Sequence, residues 1–276
     1  MNGAQRSWYF LKDDTGLWRW RQAQAQPQFN ITSSEGYGSL LDAQNDAAMS
    51  AGWDASQPTW VNQSGEGVVP GKNTLILVAQ TLAAHPPIND NTAQIVSFPN
   101  LTTIEVGGYL SPNLQSLEEF LAPNLTTLND FLDLYGMSKL TTVDLSALAT
   151  CVGQGYVSVA ACPLLTALDF PALQTATAIS AGGNTVMTRV TLPVLKLINP
   201  YQSPTPNNYF DFSGAALDQA SVDGILIAVN DAQLGFVPVA ANNSVKVNGG
   251  TNAPPSAAGI AAKNALIAAG WAVTTN

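Results

Sequence analysis

Between residues 95 and 215 apolar and polar positions recur in a fixed frame. The hexamers Leu168–Leu173 (LDFPAL) and Val190–Leu195 (VTLPVL) both read apolar, polar, apolar, proline, any residue, leucine. With the proline as a ruler, the frame recurs at Pro99, Pro123, Ser146, Pro171, Pro193 and Ser213, in steps of 20 to 25 residues. Three residues before the ruler stand Val96, Phe120, Val143, Leu168, Val190 and Phe210. One before it stand Phe98, Ala122, Leu145, Phe170, Leu192 and Phe212, and two after it Leu101, Leu125, Leu148, Leu173, Leu195 and Ala215. All are apolar. The intervening column, Ser97, Leu121, Asp144, Asp169, Thr191 and Asp211, is mostly polar. Alternation with period two is that of a strand with one buried face, and each proline, which cannot donate to a ladder, ends its strand. The pattern predicts about six rungs on one parallel sheet, each burying its apolar edge against its neighbours. The outward column is the candidate binding face.

After each strand the chain turns at Leu-x-x-Ile or Leu-x-x-Leu: Leu101 to Ile104, Leu125 to Leu128, Leu195 to Ile198. There Thr103, Thr127, Thr150 and Thr175 share a column. It reads either as a ladder of hydroxyls bonded up the stack or as ordinary strand composition. A repeat of 20–29 residues with leucine-spaced strands is the signature of leucine-rich repeats. The stretch from about 90 to 215 resembles the irregular leucine-rich repeats of bacterial surface proteins and the receptor L-domain solenoids, without the asparagine ladder of the regular motif. The fold class expected is α/β: a leucine-rich-repeat-like parallel β-solenoid of about six coils, a helical C-terminal cap and a small N-terminal domain of three strands and a helix.

Four regions are expected. Residues 1–53 alternate aromatic and polar positions, turn at the DDTG segment with Gly16, and alternate again at Trp18-Arg19-Trp20-Arg21. Ser39 with Asp42 three residues on marks a helix start. With Ser34-Glu35-Gly36-Tyr37 and the Ala-rich helix that follows, this region resembles the small YegP-like bacterial domains, a family that implies a fold and no chemistry. It is expected to anchor the protein, with Arg19 and Arg21 as candidate anchor residues, although solvated strand edges explain the same arginines. Residues 54–94 read as a linker and the start of the solenoid; the segment 54–71 is a linker by composition, and Asn73–Ala84 fits a strand or a helix. Residues 95–215 are the solenoid. Residues 216–276 are its cap, with Val222, Ile225, Leu226 and Val229 at helical spacing, Ser256 as an N-cap, apolar Ile260, Leu266 and Ile267, and Gly270 as a stop. This tail resembles a module that follows such repeats in bacterial and bacteriophage proteins, including phage tail-associated ones.

Composition narrows the function. With 10 basic against 19 acidic residues, net charge −9, the chain lacks the clustered cations that nucleic-acid binding requires. Hydrophobic residues make up 46%, enough for a core, yet no stretch of 18 apolar residues would span a membrane, and the first residues carry no signal-peptide run. Chemistry is sparse. The single histidine, His85, sits in AAHPPIND without a nucleophile motif nearby. Cys151 falls in an apolar column and Cys162 opens the next coil; both are expected to be reduced. His and Cys are too few for a zinc site, the Asp clusters lack calcium-loop spacing, and the adjacent Glu118 and Glu119 would face opposite ways on a strand. The expectation is no catalytic, cofactor-binding or metal site.

The function expected is that of a non-enzymatic bacteriophage virion structural protein, of tail fibre, spike or capsid-decoration type. It would display a solenoid for host-surface attachment or protein–protein interaction within a homo-oligomeric or larger assembly. Its partners would be other virion proteins, through the N-terminal domain, and a host-surface glycan or protein. The alternatives are a bacterial cell-surface adhesion protein and, less favoured, a glycan-active enzyme. The localisation that follows is the virion, or, for the adhesin, the cell surface.

Overall fold

A computed structural model of the chain describes residues 7–12, 17–23, 29–32, 37–51, 53–54, 59–64, 73–77, 80–83, 93–108, 110, 114–198, 208–233 and 243–276. Within them the fold is mixed α/β. Mostly parallel strands form several sheets, accompanied by three helices, α1 (Leu40–Ala51), α2 (Gln219–Gln233) and α3 (Ala257–Ala268).

From residue 95 onward the chain visits three ladders in turn. The first carries Asn73–Leu77, Ile95–Ser97, Glu119–Leu121 and Thr142–Asp144 in parallel register. Ala167–Asp169 and Arg189–Thr191 form their own parallel pair beside it. The second ladder stacks the short strands Thr81–Leu82, Thr103–Ile104, Thr127–Leu128, Thr150–Cys151, Thr175–Ala176 and Leu197–Ile198. The third runs through Leu132–Asp133, Tyr156–Ser158, Ala178–Ser180, Tyr209–Asp211, Ser244–Val247 and Ala272–Thr275.

The three apolar columns of the repeat point into one core that extends from Leu82 to Trp271. Every member is buried except Val143, which is half-buried and packs against it. The prolines fall where a strand must stop: Pro99, Pro123, Pro171 and Pro193 each open a turn two residues past the strand end. The threonine column is real as backbone register. The hydroxyl bonds up the stack come from the residues just before it, Thr102 Oγ1 to the Gln80 carbonyl and Thr126 Oγ1 to the Thr102 carbonyl, each at 3.1 Å.

One ruler position was misplaced. The triplet Tyr209–Asp211 belongs to the third ladder, paired with Ala178–Ser180 and Ser244–Val247, not to the first. The six frames therefore do not lie on one sheet. Each face of the stack has the same in–out alternation, so a period-two pattern identifies a strand without identifying its ladder.

At the N-terminal side Ser7–Lys12 and Trp18–Ala23 pair antiparallel, and Phe29–Thr32 joins the second of them. Alternation turns Trp8, Phe10, Trp18 and Trp20 to one face, where they bury against Ala43 and Ala47 of α1 as a separate cluster. Trp20 Nε1 donates to Asp46 Oδ2 at 2.7 Å. The helix start is as expected: the Asp42 amide donates to Ser39 Oγ at 3.1 Å, and the hydroxyl donates to Asp42 Oδ2 at 2.7 Å. The linker reading of 54–71 fails at Thr59–Ser64, a strand parallel to Ser7–Lys12 and antiparallel to Asn73–Leu77. Its aromatic and β-branched core, Thr59-Trp60-Val61, outweighs the Gly, Ser and Pro around it. One eight-stranded sheet thus joins the N-terminal strands to the first ladder.

At the C-terminal side α2 buries Val222, Ile225, Leu226 and Val229 and packs on Arg189–Thr191 and Leu197–Ile198. It covers the last strand of the second ladder and the outer strand of the separate pair, whose edges would otherwise invite pairing. The third ladder continues through α2 and α3. In α3 the Ala258 amide donates to the N-cap Ser256 Oγ at 3.2 Å. The helix ends at Gly270, φ 89°, with the Trp271 amide bonded to the Leu266 carbonyl. The buried face of α3 is Gly259, Ala262 and Leu266. Ile260 and Ile267, grouped with Leu266 by sequence, lie on the opposite face and are exposed. At Gly259 a Cβ would meet the Asp223 carboxylate on α2 and the Pro255 ring, so a larger residue there has to displace them.

Candidate functional site

The predicted outward column falls on three sheets. Ser97, Leu121 and Asp144 follow one another in register on the first ladder, and Asp169 faces Thr191 on the adjoining pair. Asp211 stands on the third ladder, between Ser180 and Lys246. The charge is also tempered. Arg189 grips Asp169 with two nitrogens, Nη2 to Oδ2 at 2.6 Å and Nε to Oδ1 at 3.2 Å, while Thr191 Oγ1 donates to Oδ1 at 2.9 Å. The guanidinium bonds hold the Asp169 carboxyl below the usual carboxylate range, against a smaller opposing effect of burial. Lys246 Nζ lies 3.3 Å from Asp211 Oδ2. A three-carboxylate stripe does not exist as such. The anchor candidates Arg19 and Arg21 stand on Trp18–Ala23, opposite Leu11 and Tyr9 in the hairpin register.

The third ladder presents a different surface, which the frame of the first ladder hid. Just before each inward apolar residue stand Phe131, Tyr156, Ala178 and Tyr209. Phe131 and Tyr156 stack at 5.5 Å with an interplanar angle of 23°. Tyr156 and Tyr209 approach to 6.1 Å although a whole strand lies between them. Ala178, the residue of the intervening strand in register with them, is fully buried. Two residues further along the same strands stand Asp133, Ser158, Ser180 and Asp211.

A buried polar seam fixes the residues that precede this aromatic strip. The Thr177 hydroxyl donates to the Gly155 carbonyl, Asn208 Nδ2 donates to the Thr177 carbonyl at 2.8 Å, and the Asn208 amide reaches Asn243 Oδ1 at 3.4 Å. At the strip's start Asp130 takes the Gly107 amide at 2.6 Å and the Phe131 amide at 2.8 Å. Polar groups in a core demand such pairing, and a fully paired network is stiff.

A second polar column follows the third ladder. Cys162 Sγ donates to the Leu134 carbonyl at 3.2 Å. One passage on, Asn184 accepts from the Cys162 amide at 2.7 Å and donates to the Val159 carbonyl at 2.8 Å. Asn252 does the same between the Leu217 amide and the Phe212 carbonyl. The asparagine bonding that the repeat appeared to lack is present at two positions. The spacing that would have revealed it is apolar-x-apolar-x-x-Asn/Cys at Val157 to Cys162 and Ile179 to Asn184. Both cysteines are buried and unpaired. Burial pushes the Cys151 thiol to about 12 and the Cys162 thiol to about 11.

His85 lies outside the described residues, as do Gly16, Ser34, Glu35, Gly36 and most of the segment 200–208. Among the described residues no three His, Cys, Asp or Glu side chains gather as a metal would require, and no helix is long and apolar enough to cross a membrane. Comparison with protein-family models, curated proteins and solved structures finds no match to this chain.

Proposed function

We propose that the chain is a non-enzymatic attachment protein built on a leucine-rich-repeat-like solenoid, a component of a bacteriophage virion that presents outward sheet faces to a host surface. One observation carries this reading. Short parallel strands stack rung on rung in three ladders around a continuous apolar core, and α2 covers the end of the second ladder and of the adjoining pair. Such a stack offers long, regular outer faces, which is how repeat proteins bind. The apolar-x-apolar-x-x-Asn/Cys spacing of the third ladder supports the leucine-rich-repeat likeness. The N-terminal cluster around Trp8, Phe10, Trp18 and Trp20 is a core separate from the main one, which supports a distinct role for that end as the anchor to neighbouring virion proteins.

The test has two arms. Labelled full-length protein is incubated with a panel of bacterial cells and with isolated cell envelopes, and bound protein is measured. In parallel, purified particles from lysates of the source culture are examined by mass spectrometry for this chain. Retention by cells of some strains together with presence in particles is expected. Absence from particles, with retention by cells, favours the cell-surface adhesin. No retention on any envelope removes the attachment role.

A further inference from the structure

We propose that the outermost layer of the stack at the C-terminal side, the open face of α3 together with the strand Ala272–Thr275, is a homodimer interface. Its occupant is a second copy of this chain, related by a two-fold axis. The interface is independent of what the outer sheet faces bind.

The layer repeats the one before it. Each helix joins successive strands of the third ladder: α2 runs between Tyr209–Asp211 and Ser244–Val247, and α3 between Ser244–Val247 and Ala272–Thr275. α2 packs on Arg189–Thr191 and Leu197–Ile198, and α3 packs on α2. Gly259 meets Asp223 of α2, so the buried side of α3, Gly259, Ala262 and Leu266, turns toward α2. Val273 packs on the core and Lys263 Nζ donates to Thr275 Oγ1 at 2.8 Å, which sets α3 on the inward side of its strand. The side of α3 away from α2 and the edge of Ala272–Thr275 away from Ser244–Val247 therefore look the same way, along the stack.

A solenoid cap that faces water needs a polar outer face, and a surface helix turns its polar residues outward. α1 does so with Asp42, Asn45 and Ser50. α3 does not. Eight of its residues are exposed; seven are Ala or Ile, and the eighth is Asn264. Ile260 is 47% and Ile267 48% exposed. The strand is equally unguarded. Edge strands are commonly blunted by a Lys, a Pro or a bulge, and Ala272–Thr275 has none of these while pairing with Ser244–Val247 along its whole length. The Ala272 amide bonds to the Asn243 carbonyl. Backbone groups alternate sides along a strand, so the N–H and C=O of Val273 and Thr275 point away from the ladder.

Charge favours a second copy as the occupant. The chain carries net charge −9, yet no Asp or Glu follows Asp231. The cations beyond it, Lys246 and Lys263, lie against Asp211 and Thr275. Copies of an acidic chain repel one another, and a face built without carboxylate side chains is where they meet with least repulsion. A charged partner would find nothing on α3 to pair with. A two-fold axis through Thr274, perpendicular to the sheet, sets Val273 opposite Thr275 of the second copy and Thr275 opposite its Val273. Four backbone hydrogen bonds then form, and α3 lies antiparallel to its own copy, with alanines at the contact that allow close approach. Such an isologous contact closes at two copies. Eight exposed helix residues and the five of Ala272–Asn276 are roughly half the 20–30 a side of a standard interface. The dimer is therefore weak, with Kd at or above about 1 µM.

Sedimentation velocity of the full-length protein, from about 1 to about 200 µM, spans that Kd. A monomer–dimer equilibrium without larger species is expected. Ala261→Glu, on the side of α3 opposite the buried residues, should weaken dimerisation at least about tenfold, because the charge would be buried without a partner. Thr275→Pro removes an N–H that points away from the ladder, where proline is tolerated, and should weaken it as much. Met49→Glu places the same charge on α1, at a side chain 82% exposed, and should leave Kd unchanged. Melting curves at the lowest concentration should match the parent for both glutamate variants; if Thr275→Pro is unstable, Ala261→Glu alone decides. A parent that stays monomeric throughout overturns the proposal. So does a dimer that Ala261→Glu leaves intact, one that Met49→Glu weakens equally, or growth into open chains, which a closed two-fold contact excludes.

Discussion

Cys162 and Asn184 occupy the same place in successive passages through the third ladder, and each donates a hydrogen bond to a carbonyl of the passage before it, Leu134 and Val159 respectively. The thiol is the weaker donor and makes one such bond. The amide also receives the Cys162 N–H at 2.7 Å. Replacing Asn184 with Leu would strand a buried amide and a buried carbonyl, each costing about 1–3 kcal/mol. Asn184→Leu should therefore lower stability by roughly 2–4 kcal/mol in urea unfolding. A loss below about 1 kcal/mol would mean that other groups take over the two bonds.

The backbone at the next-door column is left-handed throughout. Gly136, Gly183, Gly214 and Gly249 have φ of 72°, 77°, 68° and 74°, and Ala161, in the same column, has φ 55°. An L-residue pays about 1–2 kcal/mol there. Ala161→Gly should stabilise the protein by about 0.5–1 kcal/mol, and Gly183→Ala should destabilise it by about 1 kcal/mol. Thermal melts of the two variants should shift in opposite directions.

Position relative to the core decides what a charge does. Leu168 is buried in the main cluster and Ile260 lies on the open face of α3. Leu168→Asp should cost several kcal/mol, enough to unfold a marginal domain, whereas Ile260→Asp should stay within about 0.5 kcal/mol of the parent. Equal effects of the two would contradict the assigned faces.

Thiol chemistry should be silent until the protein opens. With Cys151 raised to about 12 and Cys162 to about 11 by burial, thiolate is scarce at pH 8 and access is blocked. Iodoacetamide at that pH should label neither cysteine in the native protein and both in denaturant, as counted by intact mass.

Acid should loosen the Asp169–Arg189 pair in a defined direction. The folded-state pKa of Asp169 is depressed from 3.8 by the bonds from Arg189. Its contribution is thus complete above that ordinary value and is lost as pH falls through the lower folded value. Comparing Asp169→Asn with the parent, the stability difference should be steady from pH 7 to pH 5 and shrink toward zero below pH 4. Because the pair is partly exposed, the difference should be small and smaller still in high salt.

The inward columns were legible because a buried strand face leaves a period-two signature that no loop reproduces over six frames. The N-caps at Ser39 and Ser256 were legible from single residues with their spacing. What was not legible depends on which strand lies beside which. Asp211 carries the same local pattern as Asp169 and belongs to another ladder. Phe131, Tyr156 and Tyr209 sit 25 and 53 residues apart, and only the stacking of their strands makes them neighbours. Thr59–Ser64 was masked by a composition rich in turn formers. Asn184 and Asn252 look like loop residues in sequence, since burial of an asparagine is decided by the carbonyl that awaits it.

The near-constant spacing between paired strands, as in Thr103 to Thr127 to Thr150, has a consequence for evolution. A whole passage through the three ladders can be removed or duplicated without changing what either neighbour must bond to, because each strand meets only the ones before and after it. A deletion beginning at Thr127 and ending at Ala149 would bring Thr103 against Thr150, threonine for threonine, and shorten the stack by about 4.8 Å. Length is therefore a quantity that selection can adjust in whole increments, with both ends left untouched.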